Sequence, residues 1–269
     1  MADLMEKYER LVDFITLKES VLVAFSGGVD SSLLVKAVKD SGINYLAITA
    51  LSPTTPKADI EDVERLKETL KLNHRFIQTE EHRREEFRKN DAMRCFYCKD
   101  TLFSRLIDIA KKEGFNCVLE GTNLDDLNDY RPGLRASKRY GVISPLAEVG
   151  ITKKDARELL KGFGIWLWNK PSSPCLSSRI AYGIPINEEV LERVEAAEEV
   201  LRGLGFREFR VRHHGDIARV ELPEEDIERL CSGELRQKLV SRLLRLGYKF
   251  VTLDLEGLRS GKMNRLLDG

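Results

Sequence analysis

The stretch VLVAFSGGVDSS, residues 21–32, decides the architecture. Its first five residues form an unbroken apolar run of strand length. That pattern predicts a strand buried on both faces, because a half-exposed strand would alternate. The run enters Gly27 and Gly28 and then a helix opening near Asp30. Two glycines let the backbone turn tightly and bring N–H groups close to an anion, and the start of the helix adds its positive dipole end. Hydroxyls of Ser26, Ser31 and Ser32 supply further donors. The stretch reads as a phosphate cradle. It lacks the Gly-Lys-Ser/Thr ending of a Walker A loop, and its glycines are not spaced as in a Rossmann fingerprint. Ser-Gly-Gly alone is also a common structural turn.

Outward from this loop, the chain keeps one rhythm. A helix over 4–17 precedes it, with Leu4, Tyr8, Leu11 and Ile15 at helical spacing. After it come a helix through SSLLVKAVKD, the strand YLAITAL, a helix through ADIEDVERLKETLKL, the strand HRFIQ, a helix around KDTLFSRLIDIAKKEG, and the strands CVLEG and VISPL. Strands alternating with helices of this length predict an α/β fold, a parallel sheet with helices on both faces and right-handed crossovers. Around 165–185 the Pro- and Ser-rich segment IWLWNKPSSPCLSSRIAYGIP breaks the rhythm, which places a domain boundary there: 1–180 and 181–269. The second part reads as one long helix, NEEVLERVEAAEEVLRGLG, two strands FREFRVRHH and DIARVEL joined near Gly215, then PEEDIERL and GELRQKLVSRLLRLG as helices and KFVTLDL as a strand. This is a small α+β domain.

Composition narrows the function classes. The 269 residues carry 44 basic and 44 acidic side chains, a formal net charge of zero. Such a balance argues against a protein whose main task is gripping long nucleic acid through its phosphates. No apolar run approaches the roughly 18 residues of a bilayer span. The charged segment MADLMEKYERLVDF has no apolar signal core, so a cytoplasmic, reducing location is expected. The five cysteines, at 95, 98, 117, 175 and 231, are an odd number, which disfavours a disulfide framework.

Cys95 and Cys98 stand in MRCFYCK, a CxxC spacing that puts two thiolates within reach of one metal. By itself the pair also fits a redox function. Cys175, in KPSSPCLSSRIAYG, is the third candidate ligand, on a loop stiffened by Pro171 and Pro174. Three thiolates can hold a 4Fe-4S cluster and leave one iron open to an external ligand such as hydrosulfide. Zinc held with help from His82 is the competing metal reading. Cys117 reads as core, and Cys231, His213 and His214 receive no role.

The string SGGVDSS resembles the pyrophosphate loop of the ATP-pyrophosphatase (PP-loop, adenine nucleotide alpha hydrolase-like) superfamily, whose members cleave ATP between its α and β phosphates. The resemblance implies ATP and Mg²⁺ as cofactors, with Asp30 on the metal and Ser26, Gly27, Gly28, Ser31 and Ser32 on the phosphates. Thr49, after the second strand, and Gly121, Thr122, Asn123 and Asp126, in GTNLDD, stand where ligands gather at the carboxyl ends of parallel strands. A plain helix N-cap by Thr122 or Asn123 accounts for those two residues equally well.

Taken together, SGGVDSS, GTNLDD, NKPSSPCLSSRIAYG and FRVRHHGDIARVE resemble the LarE family of ATP-dependent sulfurtransferases of nickel-pincer nucleotide biosynthesis, over about 8–255. The resemblance implies adenylylation of a carboxylate of a pyridinium dicarboxylate mononucleotide, then displacement of AMP by sulfur from sulfide or another donor, in a homo-oligomer. Some members consume one cysteine, at the position of Cys175; others bind a cluster through three. The presence of Cys95 and Cys98 places this chain with the second group. The substrate phosphate would be met by Arg210 and Arg212, alternating on one strand face, with Ser178 and Arg179. A solvated strand face paired with the acidic helix carrying Glu188, Glu189, Glu192, Glu195, Glu198 and Glu199 is the structural alternative. Alternative functions are tRNA thiolation, an amide-forming ligase, which has no need of the cysteines, and a nucleotide-sensing module that releases no pyrophosphate.

Overall fold

The computed structural model describes residues 2–128, 132–171, 174–231, 233–259 and 261–266. In chain order the elements are α1 (Ala2–Thr16), β1 (Ser20–Ala24), α2 (Val29–Asp40), β2 (Asn44–Leu51), α3 (Lys57–Leu70), β3 (His74–Gln78), α4 (Glu85–Arg88), α5 (Arg94–Glu113), β4 (Cys117–Leu119), α6 (Gly133–Tyr140), α7 (Pro145–Glu148), α8 (Lys153–Gly162), α9 (Glu188–Gly203), β5 (Arg210–His214), β6 (Ile217–Glu221), α10 (Glu224–Cys231), α11 (Gly233–Arg245) and β7 (Phe250–Leu253). They form two compact units, Met1–Glu81 with Cys95–Ser173, and His82–Arg94 with Pro174–Gly269.

The first unit is built on a parallel sheet of order β3-β2-β1-β4. Successive side chains of a strand face opposite ways, so β1 serves two cores. Val21 and Val23 pack with Leu11, Leu33, Val63 and Leu159, from α1, α2, α3 and α8. Leu22 packs with Phe103, Leu106 and Ala136, from α5 and α6. Helices therefore cover both faces, as the continuous apolar strands required. Connections run outward from β1 to β3 and then return to β4 on the other side. The order of strands reverses between β1 and β4, and open α/β sheets bind ligands at the carboxyl ends of strands at such a reversal.

Two features of this unit depart from the sequence reading. VISPL is not a full strand: Ile143 makes a single parallel bridge to Leu119, and α7 begins two residues later at Pro145. A proline has no N–H to extend the ladder, but it suits the first turn of a helix. The second departure is α8, which apolar periodicity did not reveal. Its start is fixed by a capping box in which Thr152 Oγ1 accepts from Asp155 N at 3.1 Å and Asp155 Oδ2 accepts from Thr152 N at 3.1 Å.

In the second unit β5 and β6 form an antiparallel hairpin turning at Gly215, whose φ is +66°, and β7 lies parallel to β6 after α10 and α11. Ala197 and Leu201 of α9 and Leu239 and Leu243 of α11 bury one face of this sheet against Val211, Ala218 and Val220. Arg210, Arg212, Arg219 and Glu221 alternate onto the other face. The sequence reading placed a single cut after Ile180. The second unit instead begins at Pro174 and includes His82–Arg94. Polar bonds hold that excursion: Asn90 Nδ2 donates to the carbonyls of Ala181 and Ile184, each at 2.8 Å, and Arg94 Nη1 donates to that of Ser177 at 2.9 Å. Such long-range clamps leave no periodic trace in a sequence. Among the described residues no helix is long and apolar enough to cross a membrane.

Candidate functional site

The loop after β1 has the geometry of an anion cradle. Gly27 adopts φ +71°, a conformation that favours glycine, and a Cβ there would meet Val63 Cγ2 at 2.7 Å. Gly28 occupies the N-cap of α2 and has no side chain to cap it, so the first-turn amides remain for a ligand. Ser31 organises the loop from within: its Oγ accepts from Ser26 N at 3.3 Å, lies 3.1 Å from Ser26 Oγ and donates to Gly28 O at 3.1 Å. Ser32 Oγ and Asp30 Oδ1 are buried with no hydrogen-bond partner among the described residues.

The loop after β4 packs directly on this cradle. A Cβ on Gly121 would lie 2.8 Å from Ser31 N and 3.0 Å from Ser31 Cα, so only glycine permits the approach. Asn123 and Asp126 cap each other, each backbone N donating to the other's side-chain oxygen at 3.2 Å. Thr122 is buried beside them. Thr49 is committed further down: its Oγ1 donates to Phe25 O at 2.6 Å and lies 2.8 Å from His74 Nε2, bracing the start of the loop.

Two lysines that the sequence reading did not single out complete the cradle. Lys153, at the first position of α8, pairs through Nζ with Asp30 Oδ2 at 2.5 Å, and its backbone N donates to Asp125 Oδ2 at 2.9 Å. Lys170 Nζ sits 2.8 Å from Asp59 Oδ1 and from Asp62 Oδ2, and donates to Gly27 O at 3.1 Å. The Thr152 capping box was the legible sign for the first; the second carries no local signature. A third unread residue is Glu120, buried just past β4, which takes Lys99 Nζ at 2.6 Å and the Ser137 hydroxyl.

Cys95 and Cys98 lie in the first turn of α5, three residues apart and thus on neighbouring positions of one helix face, Cys95 exposed and Cys98 half-buried. Neither forms a disulfide. Lys99 reaches Glu120 from the same turn. Cys117 packs at the edge of a core, where burial raises its thiol pKa. His82 stands in the second unit, with Nε2 3.2 Å from Glu188 Oε1. Among the described residues no three His, Cys, Asp or Glu side chains are grouped to hold a metal ion.

In the second unit the cysteine loop is a dense charge network. Cys175 precedes a 3₁₀ turn over Leu176–Arg179, and its carbonyl accepts from Ser178 N at 2.9 Å and Ser178 Oγ at 2.7 Å. Arg179 spends its guanidinium on Glu198 (2.8 and 3.3 Å), Pro174 O (2.7 Å) and Ser178 Oγ (3.0 Å). Arg212 donates to Ser178 O at 2.8 Å and pairs with Glu221 at 2.9 Å. Arg210 is buried and among the described residues makes no ion pair, its guanidinium donating to Arg259 O at 3.3 Å; burial, then Arg212 and Arg179, lower its pKa against the opposing pull of Glu221 and Glu198. The acidic partner of Arg212 thus comes from the neighbouring strand, and of the α9 carboxylates Glu198 serves Arg179. Ser178, Arg179, Arg210 and Arg212 are brought together within this unit.

Two histidines make stability depend on pH. Burial, reinforced by Lys67, pulls His74 down to about 4, and burial, reinforced by Arg193 and His214, pulls His213 down to about 4. Both are neutral in the fold. Between the ordinary value of 6.5 and about 4 the unfolded chain binds protons that the folded chain refuses, so stability falls as pH drops through that window. Each contributes a loss of about 2 kcal/mol by pH 5 relative to pH 7. Denaturant titrations at the two pH values should show it, with His213→Asn removing part of the loss; His214, held down by burial, then Arg219 and Arg212, adds to it in the same direction. Equal stability at both would refute the burial of these rings.

No family model matches the chain. It is 42% identical over 265 residues to the uncharacterized protein slr1717 of Synechocystis sp., covering 98% of this chain and 99% of that one. It is 38% identical over 269 residues to the pyridinium-3,5-bisthiocarboxylic acid mononucleotide synthase of Lactiplantibacillus plantarum, covering 99% and 97%. Among solved structures, the NMN synthetase of Francisella tularensis superimposes with a TM-score of 0.50 at 17% identity, over 63% of this chain and 75% of that one. That likeness shows a shared α/β fold.

Proposed function

The chain belongs to the family of the pyridinium-3,5-bisthiocarboxylic acid mononucleotide synthase, and from that premise we propose that it is an AMP-forming sulfurtransferase acting on pyridinium-3,5-biscarboxylic acid mononucleotide. One observation carries the reading: an uncapped glycine loop at the sheet's switch point, with a buried carboxylate oxygen of Asp30 lacking any partner. A hard cation such as Mg²⁺ supplies the missing partner of Asp30 Oδ1. The loop amides, with Ser26, Ser31 and Ser32, hold the phosphates of ATP, the strand-end residues Gly121, Thr122, Asn123 and Asp126 frame the nucleotide, and Thr49 braces the loop from below.

The chemistry follows from the weakness of a carboxylate as an electrophile. A substrate carboxylate oxygen attacks the α-phosphorus, the bond to the β-phosphate oxygen breaks, and pyrophosphate leaves. A sulfur nucleophile then adds to the acyl carbon, the bond to the AMP oxygen breaks, and a thiocarboxylate remains. The mixed anhydride must meet sulfur before water, so both sites have to work in close sequence. Arg210, buried and making no direct ion pair among the described residues, and Arg212, with Ser178, suit the phosphate of the mononucleotide.

The thiols of Cys95 and Cys98 fit a soft metal, and Cys175 is the proposed third ligand. When bound there, a 4Fe-4S cluster supplies a soft site for the incoming sulfur. Protein purified without oxygen is expected to hold about four irons per chain, and Cys95→Ala to lose them. With ATP, Mg²⁺, sulfide and the dicarboxylate mononucleotide it should release pyrophosphate and AMP and form thiocarboxylate, with Cys175 intact by mass spectrometry. Cys175 shortened by its sulfur after turnover would favour the sacrificial-cysteine version. No pyrophosphate release with this acceptor would refute the assignment.

A further inference from the structure

We propose that Lys170 is a positioning residue that aims the Gly28 N–H of the phosphate loop at the nucleotide. The inference rests on the reading of that loop as a triphosphate cradle. Lys170 follows the 3₁₀ turn Trp166–Asn169, and its backbone is held at both ends: its N donates to Leu167 O at 3.0 Å, and its O accepts from Arg157 Nη2 at 2.7 Å. A second bond from Arg157, Nη1 to Trp168 O at 2.6 Å, fixes the same turn to α8. From this anchored base Nζ reaches three oxygens, Asp59 Oδ1, Asp62 Oδ2 and Gly27 O.

The bond to Gly27 O sets the direction of the next amide. In a trans peptide the carbonyl and the N–H point opposite ways, and the chain contains no cis bond among the described residues. Drawing Gly27 O toward Lys170 therefore turns Gly28 N–H away from it. On the Gly27 side the peptide is pressed against α3, where a Cβ would meet Val63 Cγ2 at 2.7 Å and Asp59 O at 3.1 Å. Above Gly28 a Cβ would meet, among the described residues, only hydroxyl oxygens, Ser26 Oγ at 3.5 Å and Ser31 Oγ at 4.0 Å, which leaves room for an anion. The Ser26 N–H is already given to Ser31 Oγ, so Gly28 N–H is among the donors left for a ligand. A cation on the carbonyl also polarises the peptide and makes its N–H a stronger donor.

Asp59, Asp62 and Gly27 O already engage Nζ, so Lys170 is poorly placed to bind phosphate itself. Its effect has to pass through the peptide it holds. Without Nζ the Gly27–Gly28 peptide loses the bond that orients its carbonyl, and two successive glycines resist reorientation less than any other pair.

Calorimetry on the full-length protein with Mg²⁺-ATP and with adenosine separates the possibilities. Lys170→Met should weaken ATP on the order of tenfold, the size of one lost hydrogen bond to a charged group, and leave adenosine, which has no phosphate, unchanged. Lys170→Gln, shorter and uncharged, should behave the same way and stands in if Lys170→Met has no cooperative melting transition. Either variant binding ATP as tightly as wild type overturns the positioning role and leaves the cradle standing. An equal loss for ATP and adenosine also overturns it, since it means that the whole pocket is disturbed. Wild-type protein that binds neither ATP nor pyrophosphate refutes the cradle itself, and the inference with it.

Discussion

Replacing Asp30 by Asn is expected to lower ATP-dependent pyrophosphate release roughly a thousandfold, about 4 kcal/mol of lost transition-state stabilisation, the upper end for one electrostatic contact. The side chain has one oxygen paired with Lys153 Nζ at 2.5 Å and the other buried without a partner. A fold does not ordinarily strand a carboxylate oxygen in this way, because the group keeps its desolvation cost and gains nothing. Asp30 Oδ1 would hold a divalent cation, which would offset that cost and supply positive charge beside the phosphates. Asparagine keeps the shape but removes the charge the metal needs, and it leaves Lys153 without its counter-ion. Because Lys153 is about a third exposed, water replaces that partner, and stability should change by less than about 1 kcal/mol. Pyrophosphate release measured against Mg²⁺ concentration is the readout. A D30N protein within tenfold of wild type, with an unchanged metal dependence, would move the metal away from Asp30.

The sequence revealed what is periodic and hid what is clamped. The strands of the first sheet, α2, α3, α5, α9 and the β5–β6 hairpin were legible because burial on one or two faces leaves a period in the chain. Gly27 and Gly28 were legible as a turn, and Gly121 was placed near the loop by topology alone. VISPL was misread because five apolar-leaning residues suit a strand until Pro145 forbids the ladder. The excursion His82–Arg94 was invisible: its anchors are the amide of Asn90 and the guanidinium of Arg94, single polar groups whose targets lie about ninety residues away. Lys170 was hidden for the same reason, since its partners belong to α3 and to the phosphate loop. Arg179 was read as a ligand contact, and the structure shows how much of its guanidinium is engaged inside the protein.

That engagement sets up the largest expected effect on stability. Arg179→Met should destabilise the protein by about 3–5 kcal/mol, the usual penalty for breaking a buried ion pair from one side. The side chains of Arg179 and Glu198 are only 4% and 7% exposed, so a carboxylate left behind cannot recover its hydration. Glu198 would retain one donor, Val211 N at 3.1 Å, which is too little to hold a full charge. Glu198→Gln alone should cost a similar amount, because Arg179 then keeps its charge against Pro174 O and Ser178 Oγ. Replacing both by apolar residues of similar volume should recover most of the loss, since neither charge remains to be desolvated. Position should not recover with stability. Arg179 holds Pro174 and Ser178, the residues on either side of the Cys175 turn, and no apolar side chain can replace those bonds. The double variant is therefore expected to melt near wild type while its Cys175 thiol alkylates faster, a combination that separates a brace for the cysteine loop from a plain ion pair. A single variant within 1 kcal/mol of wild type would show that the pair carries no such burden.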